Sequence, residues 1–301
     1  GQNNVQGACD MGAGPADFTG YQKVANPDAL AKFEAAWGVR MNRTPGLMAT
    51  ECFPAMIDGR IKALFLFGED PARTDPDTHH VIRALESLDF LVVEELFMTE
   101  TAKYADVILP GRSYAEKEGT FTNTERRVQR VRKAVKGPDG PRLDTEVFAE
   151  IMRRMGYDQP SLSASQIMEE IASLTPSYAG ISHARLDGAQ VAGRGIQWPC
   201  PSEDHPGTAI MHVGQFSRGK GGYSLAQYRP SAELPNAEYP LLLMTGRVLA
   251  QYNACAMTGR TEGLNEIAGE SFIELNSVDA EQLACSPAQW RGNFHRVIFG
   301  D

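Results

Sequence analysis

Two short stretches hold side chains whose types and spacing could grip a charged or nucleotide-bearing ligand. In the first, Gly68-Glu69-Asp70-Pro71 follows the apolar run Ala63 to Phe67, and Thr74 lies four residues beyond Asp70. Carboxylates accept hydrogen bonds and repel phosphate, so Glu69 and Asp70 suit the N–H groups of a base or the hydroxyls of a ribose, with the Thr74 hydroxyl beside them. The alternative is structural: Asp70 and Thr74 cap the helix that follows. In the second, Gly246-Arg247 closes the run Leu241 to Thr245. Its guanidinium can fork onto a phosphate or carboxylate, or be an ordinary surface arginine in a turn. Gln251 and Tyr252 stand near enough in sequence to extend such a site.

Other patterns do not support chemistry. Gly214 to Lys220 has the spacing of a phosphate loop, but Gly221 stands where a Ser or Thr would hold magnesium, and no buried strand precedes it. His79-His80 lacks a Cys or acidic partner at metal-ligand spacing. The five cysteines, Cys9, Cys52, Cys200, Cys255 and Cys285, are odd in number and never paired as CxxC, which argues against a disulfide framework and a zinc knuckle. The net charge of -9 repels nucleic acid, and the one dense basic stretch, Arg126 to Lys133, is interrupted by Val128, Gln129 and Val131. That stretch is expected to be a solvated strand face or a subunit contact. No nucleophile, base and orienting group are legible together, so spacing alone points to binding rather than to a reaction.

The elements around the two stretches alternate. Ala63 to Phe67 reads as a strand, Val81 to Leu88 as a helix, Phe90 to Val93 as a strand, Thr99 to Tyr104 as a short helix, and Val107 to Leu109 as a strand. Strands alternating with helices at this spacing imply βαβ units and a parallel sheet, whose ligands sit beyond the carboxyl ends of the strands. Upstream, the small and amide-rich residues 1–12 read as a loop, and Asp28 as the cap of a helix presenting Leu30, Phe33 and Trp37 before Gly38. Downstream, residues 116–133 read as a hairpin, and helices are expected from about Thr145 and from a capping box at Ser163 and Gln166. Residues 178–240 are rich in Gly, Pro and polar side chains, and Leu241 to Met244 and Phe272 to Leu275 read as strands of a last domain.

The 301 residues, 42% hydrophobic and 22% charged, allow about two or three domains of ordinary size. No run approaches the roughly 20 apolar residues of a membrane span, and no signal segment opens the chain, so a cytoplasmic protein is expected. Because residues 1–12 already form a densely specified loop, the natural start is expected upstream of Gly1.

The wording of several segments adds what spacing does not. Gly1-Gln2-Asn3-Asn4-Val5-Gln6-Gly7-Ala8-Cys9-Asp10-Met11-Gly12 is similar to a signature of the formate dehydrogenase large subunit in the molybdopterin oxidoreductase family. The likeness resumes at Gly20-Tyr21-Gln22, Gly68 to Pro71, Thr99 to Pro110, Glu116 to Arg127, Gln197 to Cys200 and Tyr239 to Arg247, and covers about residues 1–285. It implies a bis-molybdopterin-guanine-dinucleotide cofactor with molybdenum or tungsten, at which a parent enzyme oxidises formate to carbon dioxide and passes electrons through a [4Fe-4S] cluster to electron-transfer subunits. The resemblance places Gln2 beside the pterin and metal, and Gly68, Asp70 and Thr74 at the guanosine. It places Arg247 and Gln251 against the cofactor from the C-terminal domain, Gln251 standing where many relatives carry a histidine.

The implied architecture is α/β. Residues 1–113 would be part of an αβα pterin-dinucleotide-binding domain, 114–206 a helical and extended segment packing on an N-terminal domain, and 207–301 the start of a C-terminal β-barrel. The family's metal ligand, its neighbouring histidine and its four-cysteine motif align upstream of Gly1, so no catalytic or metal-binding residue is assigned here. Ser286 to Asp301 departs from the family pattern. Two rivals are a nitrate reductase-like relative and a non-catalytic scaffold subunit.

Overall fold

A computed structural model describes residues 3–189, 191, 193–216, 218–270, 272–282 and, by backbone alone, 296–300. The chain divides into two compact units, residues 1–69 with 79–221, and residues 70–78 with 222–301.

The first unit is organised by a three-stranded parallel sheet in which Phe90–Glu95 lies between Ala63–Phe67 and Val107–Pro110. The register pairs Phe67 with Glu94 and Glu95 with Pro110, so the three strands end side by side. Central Leu91 and Val93 are buried on one face and Glu94 on the other, as a strand covered on both sides requires. One cover is the helix Thr78–Glu86, which buries Val81, Ala84 and Leu85. Another is the helix Asp144–Arg154, whose Phe148 packs edge-on against Phe65 and Phe67 with ring centroids 5.8 and 5.3 Å away. The helix Ala49–Ile57 was not legible, because its apolar side is short and Pro54 interrupts the pattern.

An antiparallel sheet of Gly119–Thr122, Arg127–Val131 and Ile196–Gln197 forms the second focus of this unit. Its core gathers Val128, Met168, Tyr178, Ile181, Leu186, Ile196 and Cys200. The helix Ala164–Leu174 begins with the expected capping box, Gln166 N donating to Ser163 Oγ at 3.3 Å and Ser163 N to Gln166 Oε1 at 2.9 Å. The helix Pro27–Trp37 ends at Gly38 in left-handed backbone, as expected, but its cap is Asn26. The Asn26 side chain accepts from the amides of Asp28 and Ala29 at 2.9 and 3.1 Å, whereas Asp28, already inside the first turn, serves the helix dipole.

Part of the basic run is held within the chain, while Arg132 and Lys133 stay exposed. Arg126 donates to the carbonyls of Trp198 and Thr208, Arg130 to that of Gly119 and to Asp187, and Arg132 to Asp187. These guanidiniums tie the hairpin to the loops around it. Spacing could not show this, because the Trp198 and Thr208 carbonyls and the Asp187 carboxylate lie 55 or more positions away in sequence.

In the second unit, Phe272–Asn276 is a strand, as expected, and pairs in parallel with Arg296–Gly300. Helices Glu262–Ala268 and Ser277–Gln282 flank it, and no closed barrel occurs among the described residues. Leu241 to Met244 is not a strand. It is irregular, and Leu242, Leu243 and Met244 are 65, 75 and 89% exposed. A contiguous exposed apolar run of this kind drives association. The chain is therefore expected to self-associate, and the double variant Leu242→Glu, Leu243→Glu to lower its apparent mass in static light scattering. A sharply monomeric wild-type chain would contradict this.

Candidate functional site

The carboxyl ends of the parallel strands come together where the sheet topology predicts. Gly68 N donates to Glu94 O at 2.9 Å, and Gly111 N to Glu95 O at 3.1 Å. Gly68 turns the chain with φ +64°, a left-handed conformation that favours glycine, and nothing lies within 4 Å of where a Cβ would stand. That leaves backbone open to close approach by a ligand.

Asp70 and Thr74 follow in the second unit. Asp70 is 5% exposed and occupies the cap position of the short helix Pro71–Thr74, but its side chain makes no capping bond. The capping role goes to its carbonyl, which accepts from Arg73 N, Thr74 N and Thr74 Oγ1 at 2.9, 3.0 and 3.1 Å. Asp70 thus serves the helix through its carbonyl rather than through a side-chain cap, and Thr74 serves the helix as well. Arg73 Nε donates to Ala254 O at 3.2 Å, joining this helix to the segment just after Gln251.

Arg247 is exposed, and no described carboxylate pairs with it. Gln251 is partly buried. Its Nε2 donates to Asn265 Oδ1 at 3.1 Å and to Ala268 O at 2.7 Å, while its Oε1 is buried without a partner. A buried acceptor left empty costs stability, about 1–3 kcal/mol, unless a ligand fills it. Asp70, Thr74, Arg247 and Gln251 thus belong to one unit. Gln2 lies outside the described residues.

The N-terminal stretch is not wholly a loop, since Val5–Asp10 forms a helical turn and a half. Asn4 Oδ1 accepts from Thr122 N at 2.9 Å. At the other end Asp10, fully buried, accepts from Gln6, Tyr21, Tyr178 and Trp198. Burial first, and then the bond to Asp10, push the hydroxyls of Tyr21 and Tyr178 well above the usual phenol range. Both stay protonated donors.

A third cluster lies at the sheet end. Glu94, 1% exposed, has neither carboxyl oxygen hydrogen-bonded. Its Oε1 and Asp144 Oδ1 lie 3.9 and 3.8 Å from where a Cβ on Gly111 would stand. Lys117 forms an ion pair with Asp144. Burial, then the Asp144 charge, raise the Glu94 carboxyl to about 7, with Lys117 partly opposing. Two carboxylates have no proton to share; once Glu94 is protonated, its O–H can donate to Asp144.

The family described as Molybdopterin oxidoreductase matches residues 1–154, slightly more than half of the chain. The chain belongs to the molybdopterin oxidoreductase family. It is 47% identical over 290 residues to the F420-dependent formate dehydrogenase subunit alpha of Methanocaldococcus jannaschii, a match covering 94% of this chain and 42% of that protein. It is 45% identical over 294 residues to the F420-dependent formate dehydrogenase 2 subunit alpha of Methanococcus maripaludis, covering 96% and 42%. The chain therefore spans less than half the length of these relatives. Among solved structures, acetylene hydratase from Pelobacter acetylenicus superposes with a TM-score of 0.54 at 17% identity, covering 86% of this chain and 38% of that one, and shares the fold.

Sequence reasoning found the strand-end turn at Gly68 but gave no role to Asp10 and Glu94. Asp10 carries no local signal, because its four donors come from as far as residue 198. Glu94 did carry one: a charge next to Val93 in a strand covered on both faces has no solvent side to point to. Its raised value fixes the sign of a pH effect. Glu94 takes up its proton more readily folded than unfolded, so its contribution to stability is full below about 4.5 and lost as pH rises through about 7, roughly 3 kcal/mol in all. Glu94→Gln is expected to flatten the dependence of the thermal midpoint on pH between about 5 and 8 and to raise the midpoint at the alkaline end. An unchanged pH slope in differential scanning fluorimetry would refute it.

Proposed function

We propose that the chain is the dinucleotide-holding part of the alpha subunit of a molybdenum- or tungsten-dependent formate dehydrogenase, its cofactor a bis-molybdopterin guanine dinucleotide. The observation that carries the reading is an incomplete donor set in a family member. An exposed guanidinium, Arg247, with no ion pair among the described residues and a buried amide oxygen, Gln251 Oε1, without a donor lie in one unit with Asp70. A guanine nucleotide joined through phosphates has complementary chemistry: ring N–H groups for Asp70, phosphate oxygens for Arg247, and a hydroxyl or amine for Gln251 Oε1.

In this reading Gly68 lets the backbone approach the nucleotide, Thr74 holds the turn that aims Asp70, and Gln2 serves the pterin end. When bound, the metal–pterin group supplies the acceptor for the two electrons released as formate becomes carbon dioxide and a proton. The residues of this chain bind and orient that group and assign themselves no bond-breaking step. A [4Fe-4S] cluster and the metal ligand would come from sequence aligned before Gly1, and electrons would pass to partner subunits. The relatives' F420 dependence, as their names give it, makes F420 the acceptor to test first. No helix among the described residues is long and apolar enough to cross a membrane, in keeping with a cytoplasmic enzyme.

The test uses the full-length parent enzyme. Wild type is expected to reduce a viologen dye with formate and to contain pterin and molybdenum or tungsten. Arg247→Ala and Asp70→Asn should each lower bound pterin by about 10-fold or more, as loss of a charge-assisted hydrogen bond implies. Wild type without pterin and without formate-dependent reduction would overturn the reading.

A further inference from the structure

Asp10 is a buried carboxylate with an unusual set of neighbours. Its Oδ1 accepts from Gln6 Nε2 and Tyr21 Oη, each at 2.8 Å, and its Oδ2 from Trp198 Nε1 at 2.7 Å and from Tyr178 Oη. All four are neutral donors, and no described cation forms an ion pair with it. A charge without a counterion stays buried only if its lone pairs are filled, so each donor must keep its place for the others to be tolerated. Gln6 belongs to the N-terminal segment itself, while Tyr178 and Trp198 belong to the core around the second sheet.

The segment so anchored presents one face outward. Gly7 and Asp10 are buried, and Asn3, Val5, Ala8 and Cys9 are exposed. A Cβ on Gly7 would stand 2.2 Å from Asn4 Oδ1 and 3.3 Å from Thr122 N, so a larger residue there would push Asn4 off its bond to Thr122. Residues 3–12 are thus tied at both ends, by Asn4 to the strand Gly119–Thr122 and by Asp10 to Tyr178 and Trp198. The doubly tethered turn thus holds Asn3, Val5, Ala8 and Cys9 outward in a fixed arrangement, while the amides of Asn4 and Gln6 are spent on the tethers.

We propose that Asp10 is a positioning residue, which through its four donors locks residues 3–12 in the one conformation that presents their outward face to the pterin cofactor. The inference rests on the cofactor reading above and deepens it. Asp10 does not touch the cofactor; it acts through Gln6 and the backbone of the turn.

The discriminating variant is Asp10→Asn in the full-length parent. The amide keeps the size of the side chain, and its oxygen can serve one donor pair while Tyr21 and Gln6 reorient to accept from its nitrogen. The fold is expected to survive, with a thermal midpoint near wild type. Hydrogen exchange of peptides covering residues 3–12, followed by mass spectrometry, should become at least about 10-fold faster, and kcat with formate should fall about 10- to 100-fold with KM little changed, the range typical of lost supporting contacts. Tyr21→Phe and Tyr178→Phe each remove a single donor and should move both readouts the same way by less; they also decide the matter if Asp10→Asn does not fold. Unchanged exchange of residues 3–12 in these variants would overturn the locking role, and faster exchange with unchanged kcat would overturn its functional consequence. If wild-type parent holds no pterin, the cofactor reading fails, whereas the exchange measurement on that same protein still decides whether Asp10 locks the segment.

Discussion

Burying a carboxylate without a counterion is among the more costly things a fold can do, and much of the first unit is arranged so that Asp10 can be buried. Its two oxygens collect donors from the N-terminal turn, from Tyr21, and from the segment holding Tyr178 and Trp198. Each donor has a second reason to be where it is. Tyr178 is 1% exposed within the core of the antiparallel sheet, and Trp198 is stacked by Arg126, whose guanidinium also holds the Trp198 and Thr208 carbonyls. Neutral donors tolerate the charge without cancelling it, so the turn is held by many moderate bonds rather than by one ion pair. Removing any of them leaves the remainder poorly satisfied, which makes such a network cooperative.

The parallel sheet imposes a different constraint. Strands that run the same way end at the same edge, and the register carries Gly68, Glu94, Glu95 and Pro110 to that edge together. Backbone amides of the following turns then close on the ends of neighbouring strands, as Gly68 does on Glu94 and Gly111 on Glu95. The same geometry that opens a ligand-accepting edge traps the Glu94 side chain beneath it. Lys117 and Asp144 come from elements that lie over this edge, and the proton that Glu94 retains near neutrality is a consequence of the closure rather than of local sequence.

What was legible in the sequence follows the range of the interactions involved. The βαβ alternation, the hairpin, the capping box at Ser163 and the left-handed stop at Gly38 are set by residues within a few positions of each other, and each appears in the structure. Local reasoning failed where two residues competed for one role: Asn26 rather than Asp28 caps its helix, because the cap must stand before the first turn. It failed again where partners are remote. The arginines of residues 126–132 looked solvated because their acceptors are carbonyls and a carboxylate about 55–80 positions away. The candidate site divides the same way. Gly68 and Asp70 were legible from the turn they make, whereas the empty acceptor on Gln251 depends on Asn265 and Ala268 occupying its other end.

Leu241 to Met244 shows the limit of pattern most directly. A short apolar run between Pro240 and Gly246 has every local feature of a strand, yet it is irregular and exposed. A strand is not a local object: its amides and carbonyls need a neighbouring strand, and its side chains need a face to cover. Phe272–Asn276, with a pattern no stronger, is a strand because Arg296–Gly300 pairs with it along its length. The difference between the two lies in the partner and not in the propensity. It also bears on Arg247, which follows the unpaired run and has no ladder to fix its backbone. The strand-end turn at Gly68 is anchored to Glu94 by a backbone bond. Of the two stretches whose residue types first suggested a ligand, one is thus held by the sheet and the other is not.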